Sequence, residues 1–255
     1  DGGSITINGK STLNHGVWVS NNLSVNTAGG NLIITGEADA NQGIDFEGNG
    51  IKLLSGTGDV SIEGTSVSSY GVLVNDNFAL SSSSVSDTAI TLKGNSSSSF
   101  GIYLGTSVSN KNALIQSTST TDNKGDILIE GSTSTGEIGV GLDFWGSNSK
   151  IQILAGKGDI TLNSKGHESR TFYTSTDLYI GQRANETAIN SVIPTPEIFD
   201  GNINILSEGG IYAGTGSNGL WTLKSGNVDN NGGDITIAAD TNNSDGGFIY
   251  FSSGL

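Results

Sequence analysis

The sequence of 255 residues contains no cysteine and no methionine, and it has only 2 prolines. Without cysteine, the chain has no disulfide, no thiolate metal site and no cysteine nucleophile. Basic residues are also few, because 11 Lys and Arg stand against 25 Asp and Glu and give a net charge of −14. A chain this acidic repels phosphate groups, so the sequence predicts that nucleic acid is not a partner.

Long apolar runs and helix-forming residues are scarce as well. No apolar run approaches the roughly 18 residues that a membrane-spanning helix needs, so we expect no membrane insertion. Gly, Ser, Asn and Thr make up about half of the chain, with 39 Gly, and this composition does not suit a helical bundle. The hydrophobic residues, 34% of the chain, follow a regular pattern, which argues against disorder.

A short motif, Gly-x-apolar-x-apolar, recurs along the chain. Its alternating apolar residues indicate short β-strands. Successive copies lie about 27 to 43 residues apart. The copies begin at Gly3, Gly30, Gly58, Gly125, Gly158, Gly201 and Gly233, with a degenerate copy at residues 89–92.

Two further strand patterns lie between successive copies. A second motif, Gly-apolar-x-apolar, follows the first, and a pair of alternating apolar residues follows the second. The segments 51–60 and 151–160 match closely, IKLLSGTGDV against IQILAGKGDI. Each repeat of about 28 residues therefore carries three short strands. The second motif begins at Gly16, Gly43, Gly71, Gly101 and Gly141.

These repeats predict an all-β fold, a right-handed parallel β-helix of about eight three-stranded coils, as one domain over residues 1–255. Each strand has only two or three inward side chains, so it can bury them only by stacking on the equivalent strand of the next repeat. Parallel neighbours in one sheet need a right-handed crossover, which three strands per coil provide. Eight coils would form a rod about 40 Å long. A β-sandwich is the alternative, but it would not require matched repeats.

The repeat style of this cysteine-free chain, with GNLII at 30–34 and GDITL at 158–162, resembles the filamentous-haemagglutinin type of large bacterial exoprotein, which is secreted by the two-partner or autotransporter routes. The resemblance covers most of the chain. The sequence lacks the Asn-Pro-Asn stretch that marks the secretion domain of that family, so the resemblance is to the shaft.

The resemblance implies a non-enzymatic adhesin that is secreted and displayed on the surface of a Gram-negative-type bacterium. Such a rod would mediate attachment or build an extracellular matrix such as a biofilm. The expected partners are a host or neighbouring cell surface, a glycan, or other copies of the chain.

Two other functions stay open. The sequence begins directly in a strand pattern and closes after an apolar segment without a capping helix. This favours either a piece of a longer rod or a subunit of an extracellular filament that assembles end to end. A carbohydrate-binding or polysaccharide-processing β-helix is the second alternative.

The second strand of each repeat carries the residues that we expect to bind a partner or glycan. Flat aromatic side chains beside acids suit sugar rings, and they suit a neighbouring protein equally well. The alternative is that loops fold over this face and bury it. Asp45 and Asp143 lie three repeats apart, about 15 Å, which is too far for a glycosidase carboxylate pair, so we expect no enzyme. The outward residues read Trp18, Asp45, Leu73, Tyr103 and Asp143, with Trp145 beside them.

Residues 163–200 break the rhythm of the repeats, so we expect an irregular insertion there. The segment contains both arginines of the chain, Arg170 and Arg183, and both prolines. Long loops on regular scaffolds often carry function. The hypothesis is therefore that this insertion contacts a partner, and the alternative is a decorative loop.

Several repeats place an aspartate just before the first strand. Asp126 and Asp159 belong to consecutive repeats, so their carboxylates could lie about 5 Å apart. Calcium would relieve the repulsion between them. Ser and Asn replace Asp at the equivalent positions, and both cap turns, whereas Ser is a poor calcium ligand. The sequence therefore favours capping and predicts no cofactor, with a calcium site at Asp126 and Asp159 as the alternative.

Overall fold

The chain folds into a right-handed parallel β-helix built from three parallel sheets. The computed structural model describes residues 2–48, 50–105, 111–134, 141–146, 149–166, 170–181, 201–213, 220–225, 233–241 and 248–251. Within these ranges every regular element is a β-strand. The prediction of an all-β solenoid of three-stranded coils is confirmed.

The strands alternate among the three sheets in chain order. Sheet A contains β1 (Ile5–Ser11), β4 (Leu32–Ala38), β7 (Val60–Ser66), β10 (Thr88–Ser96), β13 (Asp126–Thr133), β16 (Ile160–Lys165), β19 (Ile203–Ser207) and β22 (Ile235–Ala238). Sheet B contains β2 (Val17–Val19), β5 (Ile44–Phe46), β8 (Val72–Val74), β11 (Ile102–Gly105), β14 (Leu142–Trp145), β17 (Arg170–Thr174), β20 (Gly210–Ala213) and β23 (Ile249–Phe251). Sheet C contains β3 (Leu23–Asn26), β6 (Ile51–Leu54), β9 (Phe78–Ser82), β12 (Asn112–Ser117), β15 (Lys150–Leu154), β18 (Asp177–Ile180) and β21 (Trp221–Leu223).

Equivalent residues of successive repeats are direct neighbours in the sheets. In sheet A, Ile5 pairs with Leu32, and Leu32 pairs with Val60. One strand of each sheet makes one coil, so coil 1 is β1 to β3 and coil 8 begins with β22. The repeats seen in the sequence are therefore the coils of the solenoid.

The core is a set of apolar ladders that run from coil to coil. The inward side chains of sheet A in coils 2 to 7 are almost completely buried, and Leu32, Ile90 and Ile160 have no exposed surface. Aromatic side chains link neighbouring sheets, since the rings of Phe46 in sheet B and Phe78 in sheet C lie 5.5 Å apart. Full burial of one such side chain contributes about 1.5–3 kcal/mol. The stability of each coil therefore depends on its neighbours.

Glycine marks the corner between sheets A and B because two backbone segments touch there. A Cβ atom added to Gly64, near the end of β7, would lie 2.1 Å from the carbonyl oxygen of Gly71. The same distance separates an added Cβ on Gly36 from the carbonyl oxygen of Gly43. Neither position has room for a side chain, which explains the glycine near the end of these sheet A strands. The second-motif glycine Gly71 is confined in the same way, since an added Cβ would lie 2.4 Å from the Asn95 nitrogen.

Hydroxyl side chains satisfy backbone carbonyls at the corners of the coils. Ser66 Oγ donates to the carbonyl of Asn41 over 2.6 Å, and Ser96 Oγ donates to that of Ser69 over 2.6 Å. At the next corner, Ser55 Oγ donates to the carbonyl of Gly58 over 2.5 Å. Small hydroxyl residues fit such corners and still pair the buried backbone.

The expectation of an irregular insertion over 163–200 is wrong for its first part. Strands β17 and β18 continue the coil, because Leu142 pairs with Phe172 and Ile151 pairs with Leu178. Thr171 takes the place that glycine holds in the earlier coils, which hides the motif in the sequence. The rest of the segment, 182–200 with Arg183, lies outside the described residues.

Candidate functional site on the outer face of sheet B

The middle residue of every sheet B strand contributes to one continuous row on the outer face, here called the outer column. Its first five members are those expected from the sequence, and the registers confirm that they are neighbours. Three tyrosines extend the row, and the sequence analysis missed them. The motif Gly210-Ile211-Tyr212-Ala213 could have revealed one of them, because it keeps the pattern of the second motif. The outer column reads Trp18, Asp45, Leu73, Tyr103, Asp143, Tyr173, Tyr212 and Tyr250.

A second row of side chains folds over the first coils of this column. Its members, His15, Gln42, Tyr70 and Phe100, each precede a motif glycine, and we call them the cover row. Their backbones stack from coil to coil, since the Gly16 N–H donates to the Gln42 carbonyl over 3.1 Å. The ring of Tyr70 lies 5.3 Å from that of Phe100 and 5.5 Å from that of Tyr103.

Both column aspartates are removed from the accessible surface. Asp45 is 0% exposed and Asp143 is 4% exposed. The expectation that these acids are available beside aromatic rings is therefore wrong, because both are buried, with His15 of the preceding coil against Asp45. Tyr103 is half-buried, whereas Trp18 and Trp145 are exposed at 57% and 44%.

Asp45 lies beneath a small polar cluster. His15 Nδ1 is 3.3 Å from Asp45 Oδ2, and the His15 ring stacks on the Trp18 ring with centroids 5.4 Å apart. The Trp18 indole N–H donates to Glu47 Oε2 over 3.2 Å. Neither carboxylate oxygen of Asp45 has a hydrogen-bond partner. Burial, with a smaller effect of the Glu47 charge, raises the pKa of Asp45 to about 7.

Asp143 is a second buried acid, three coils further along the column. Burial raises the pKa of Asp143 to about 8, and its Oδ1 atom has no hydrogen-bond partner. Burial also raises the pKa of Tyr70 and of Tyr103, and the negative charge of Asp143 adds to both shifts. Three strand spacings separate Asp45 from Asp143, about 15 Å, which is too far for a pair of catalytic carboxylates.

Beyond Asp143, aromatic rings follow one another along the sheet. The Trp145 and Tyr173 rings stack with centroids 5.9 Å apart, and Tyr173 stacks on Tyr212 at 6.4 Å. Tyr212 lies 4.9 Å from Tyr250, which is 46% exposed. We call these four residues the aromatic ladder. The side chain of Arg170, at the start of β17 beside the ladder, lies outside the described residues.

The aspartates before sheet A form a different row, here called the corner row. Each polar side chain accepts the backbone N–H of the equivalent residue in the next coil. Asp126 Oδ1 accepts from Asp159 N over 2.8 Å, and Asp159 Oδ1 accepts from Asn202 N over 2.8 Å. Ser4 and Asn31 make the same bond at 3.1 and 3.0 Å. These carboxylates, amides and hydroxyls therefore cap the neighbouring coil.

The degenerate fourth repeat interrupts the corner row. The register shifts between Thr88 and Ile90, and Asp59 accepts hydrogen bonds from Ser84 Oγ at 2.5 Å and Ser86 Oγ at 3.2 Å instead. Burial raises the pKa of Asp126, while its bond from the Asp159 N–H acts in the opposite direction.

In the part of the chain that the structure describes, no three His, Asp or Glu side chains are grouped so that they could hold a metal ion, and no helix has the length and apolar character needed to cross a membrane. A cleft between sheets B and C, beside the Lys111–Asp76 ion pair of 2.8 Å, has a cavity volume of about 10 Å³. It holds roughly one water molecule.

Comparison with protein-family models, with curated proteins and with solved structures finds no match for this chain.

Proposed function

We propose that this chain is a non-enzymatic, secreted β-helical rod on the surface of a Gram-negative-type bacterium, where it mediates attachment or builds extracellular matrix. The repeat style that resembles large exoproteins and the cysteine-free composition support this role. The aromatic ladder is the observation that carries it, because partly exposed rings follow one another across four coils of one face.

The opposite assignment, that the ladder only stabilises the fold, is less well supported because the outer face of sheet A does without such a row. Its equivalent positions include Thr6, Ser61, Thr161 and Thr236, and a regular rod forms there all the same. Aromatic rings add apolar contact area, and the tyrosine hydroxyls add hydrogen bonds for a polar partner. This combination suits a glycan or a protein on another cell. The net charge of −14 favours a neutral or cationic partner over an anionic one.

The ladder can be tested with the soluble chain in binding assays on cells and on a glycan array. The double variant W145S/Y173S should lose at least about tenfold in binding, since hot-spot aromatic residues commonly contribute 2 kcal/mol or more each. Ile33→Ser is the matched control, because Ile33 is an exposed apolar residue on the outer face of sheet A. Binding that survives in W145S/Y173S, with an unchanged unfolding midpoint, would contradict the role of the ladder.

A filament subunit is the second candidate, and the apolar surface of coil 8 favours it. Ile235, Ile249 and Phe251 are exposed there, although their counterparts in the preceding coils are buried. A further coil would cover this surface, and the first coil of a second copy would do so equally well. Negative-stain microscopy and sedimentation velocity of the isolated chain distinguish the cases. Fibres that grow with concentration support the filament, and a monomer at all concentrations excludes it.

A further inference from the structure

The polar cluster over Asp45 concentrates buried side-chain atoms that have no hydrogen-bond partner. Four atoms lie buried without a hydrogen-bond partner: His15 Nδ1, Gln42 Oε1 and both carboxylate oxygens of Asp45. Buried polar atoms left unpaired lose their hydrogen bonds to water without replacement, which destabilises the fold. Their clustering in adjacent coils indicates that something else binds them.

The three residues are brought together by the repeat itself. Gln42 precedes Asp45 by three residues, as His15 precedes Trp18, and the rings of that equivalent pair lie 5.4 Å apart. The backbone bond from Gly16 N to the Gln42 carbonyl places Gln42 directly beside His15 in the cover row. The repeat therefore places Gln42 beside His15 and three residues before Asp45, while His15 contacts Asp45 from the coil before.

The geometry of the cluster fits a metal ion better than a hydrogen bond. His15 Nδ1 and Asp45 Oδ2 are 3.3 Å apart, and neither atom has a hydrogen-bond partner. In a tetrahedral site with bonds of about 2.0–2.1 Å, two ligand atoms lie about 3.3 Å from one another. The two atoms thus have the spacing of neighbouring ligands of one ion.

The charge and the donor types define the class of ion. Asp45 and Glu47 bring negative charge to the cluster, and His15 is the only basic side chain that pairs with Asp45 among the described residues. An imidazole nitrogen with carboxylate and amide oxygens suits a first-row divalent metal, whereas calcium and magnesium prefer oxygen ligands alone. We propose that His15, Gln42 and Asp45 form a binding site for a divalent metal of the zinc type, with water completing the coordination.

Zinc binding to the untagged, chelator-treated chain, measured by isothermal titration calorimetry, tests this site. We expect one zinc ion at the cluster, and Asp45→Asn and His15→Ala should each weaken binding at least about 100-fold, because outer-shell changes alone often cost 10–100-fold. Asp143→Asn is the matched control, since it alters a buried acid of the same column that has no histidine over it among the described residues, and it should bind zinc like the unchanged chain.

Cobalt provides a second readout that does not depend on affinity. Intense visible absorption of the Co²⁺-loaded chain, lost in His15→Ala, would show a tetrahedral site with this ligand. Asp45→Asn replaces a buried acid by a neutral side chain of the same shape, so the metal-free variant should unfold at the same temperature or higher. The proposal is overturned if the chain binds no zinc at about 1 mM, or if Asp45→Asn and His15→Ala bind it as tightly as the unchanged chain.

Discussion

Aspartates occupy two rows of this solenoid, and the two rows treat the same side chain in opposite ways. In the corner row, the Asp159 carboxylate accepts a hydrogen bond of 2.8 Å from the Asn202 N–H and so caps the next coil. In the outer column, Asp143 is buried with one oxygen unpaired, and its pKa rises to about 8. A carboxylate is favourable where backbone donors point at it, and costly where only side chains cover it.

The difference follows from the direction of the backbone at each position. Just before a sheet A strand, the chain turns, and its backbone N–H group points toward the side chain of the preceding coil. In the middle of a sheet B strand, the N–H and C=O groups pair within the ladder and leave no donor for the side chain. Substitutions that exchange the two environments should therefore have very different costs.

The largest effect is expected when an acid is placed in the outer column. Leu73 is buried between Asp45 and Tyr103, so Leu73→Asp should lower the free energy of unfolding by at least about 3 kcal/mol at neutral pH. Ser4→Asp is the corner-row control, because Ser4 Oγ already accepts the Asn31 N–H and a carboxylate can replace it. Its change should stay within about 0.5 kcal/mol. Equal costs in urea titrations would contradict the distinction between the rows.

Removing Asp143 from the outer column should change how the stability of the fold depends on pH. The folded-state pKa of Asp143 is about 8, above its unfolded value of 3.8, so the folded chain holds an extra proton between these values. Stability should therefore fall as pH rises from about 4 to about 8, by about 1.4 kcal/mol per pH unit for this one group. Asp143→Asn abolishes that contribution.

The difference in unfolding free energy between Asp143→Asn and the unchanged chain measures this effect. It should grow in favour of the variant up to about pH 8 and stay constant above. In metal-free protein, Asp45 also makes the free energy of unfolding fall as the pH rises to about 7. Above that pH, neither acid should contribute a pH dependence to the stability of Asp143→Asn. A constant difference at all pH values would show that folding does not raise the pKa of Asp143.

The sequence predicts the coils well, because their ladders depend on side-chain type at regular intervals. Ile51 and Ile151, read as equivalent strand positions, do lie in sheet C strands of different coils. Even the pairing of Asp126 with Asp159 in the corner row follows from the repeat alone.

The burial of the column acids could not be predicted in the same way. The cover row has no common residue type, since His15, Gln42, Tyr70 and Phe100 share only their place before a glycine. The alternating pattern of the strand predicts that the Asp45 side chain points away from the core, but it does not predict which side chains cover it. Likewise, the capping partner of Asp159 is 43 residues away, so local turn preference predicts a cap without identifying the N–H that it accepts.

The smallest effect is expected in the corner row, where the cap itself can be deleted. Asp159→Ala removes the acceptor for the Asn202 N–H and for the Asn202 side-chain amide at 3.1 Å, and it should lower the free energy of unfolding by about 1 kcal/mol. Asp159→Asn keeps the acceptor and removes the charge, as Asn31 and Asn202 do at the same position, so it should cost less than Asp159→Ala. If both variants lose equally in urea titrations, the charge matters and the cap does not, which would favour a bound cation at Asp126 and Asp159 over capping.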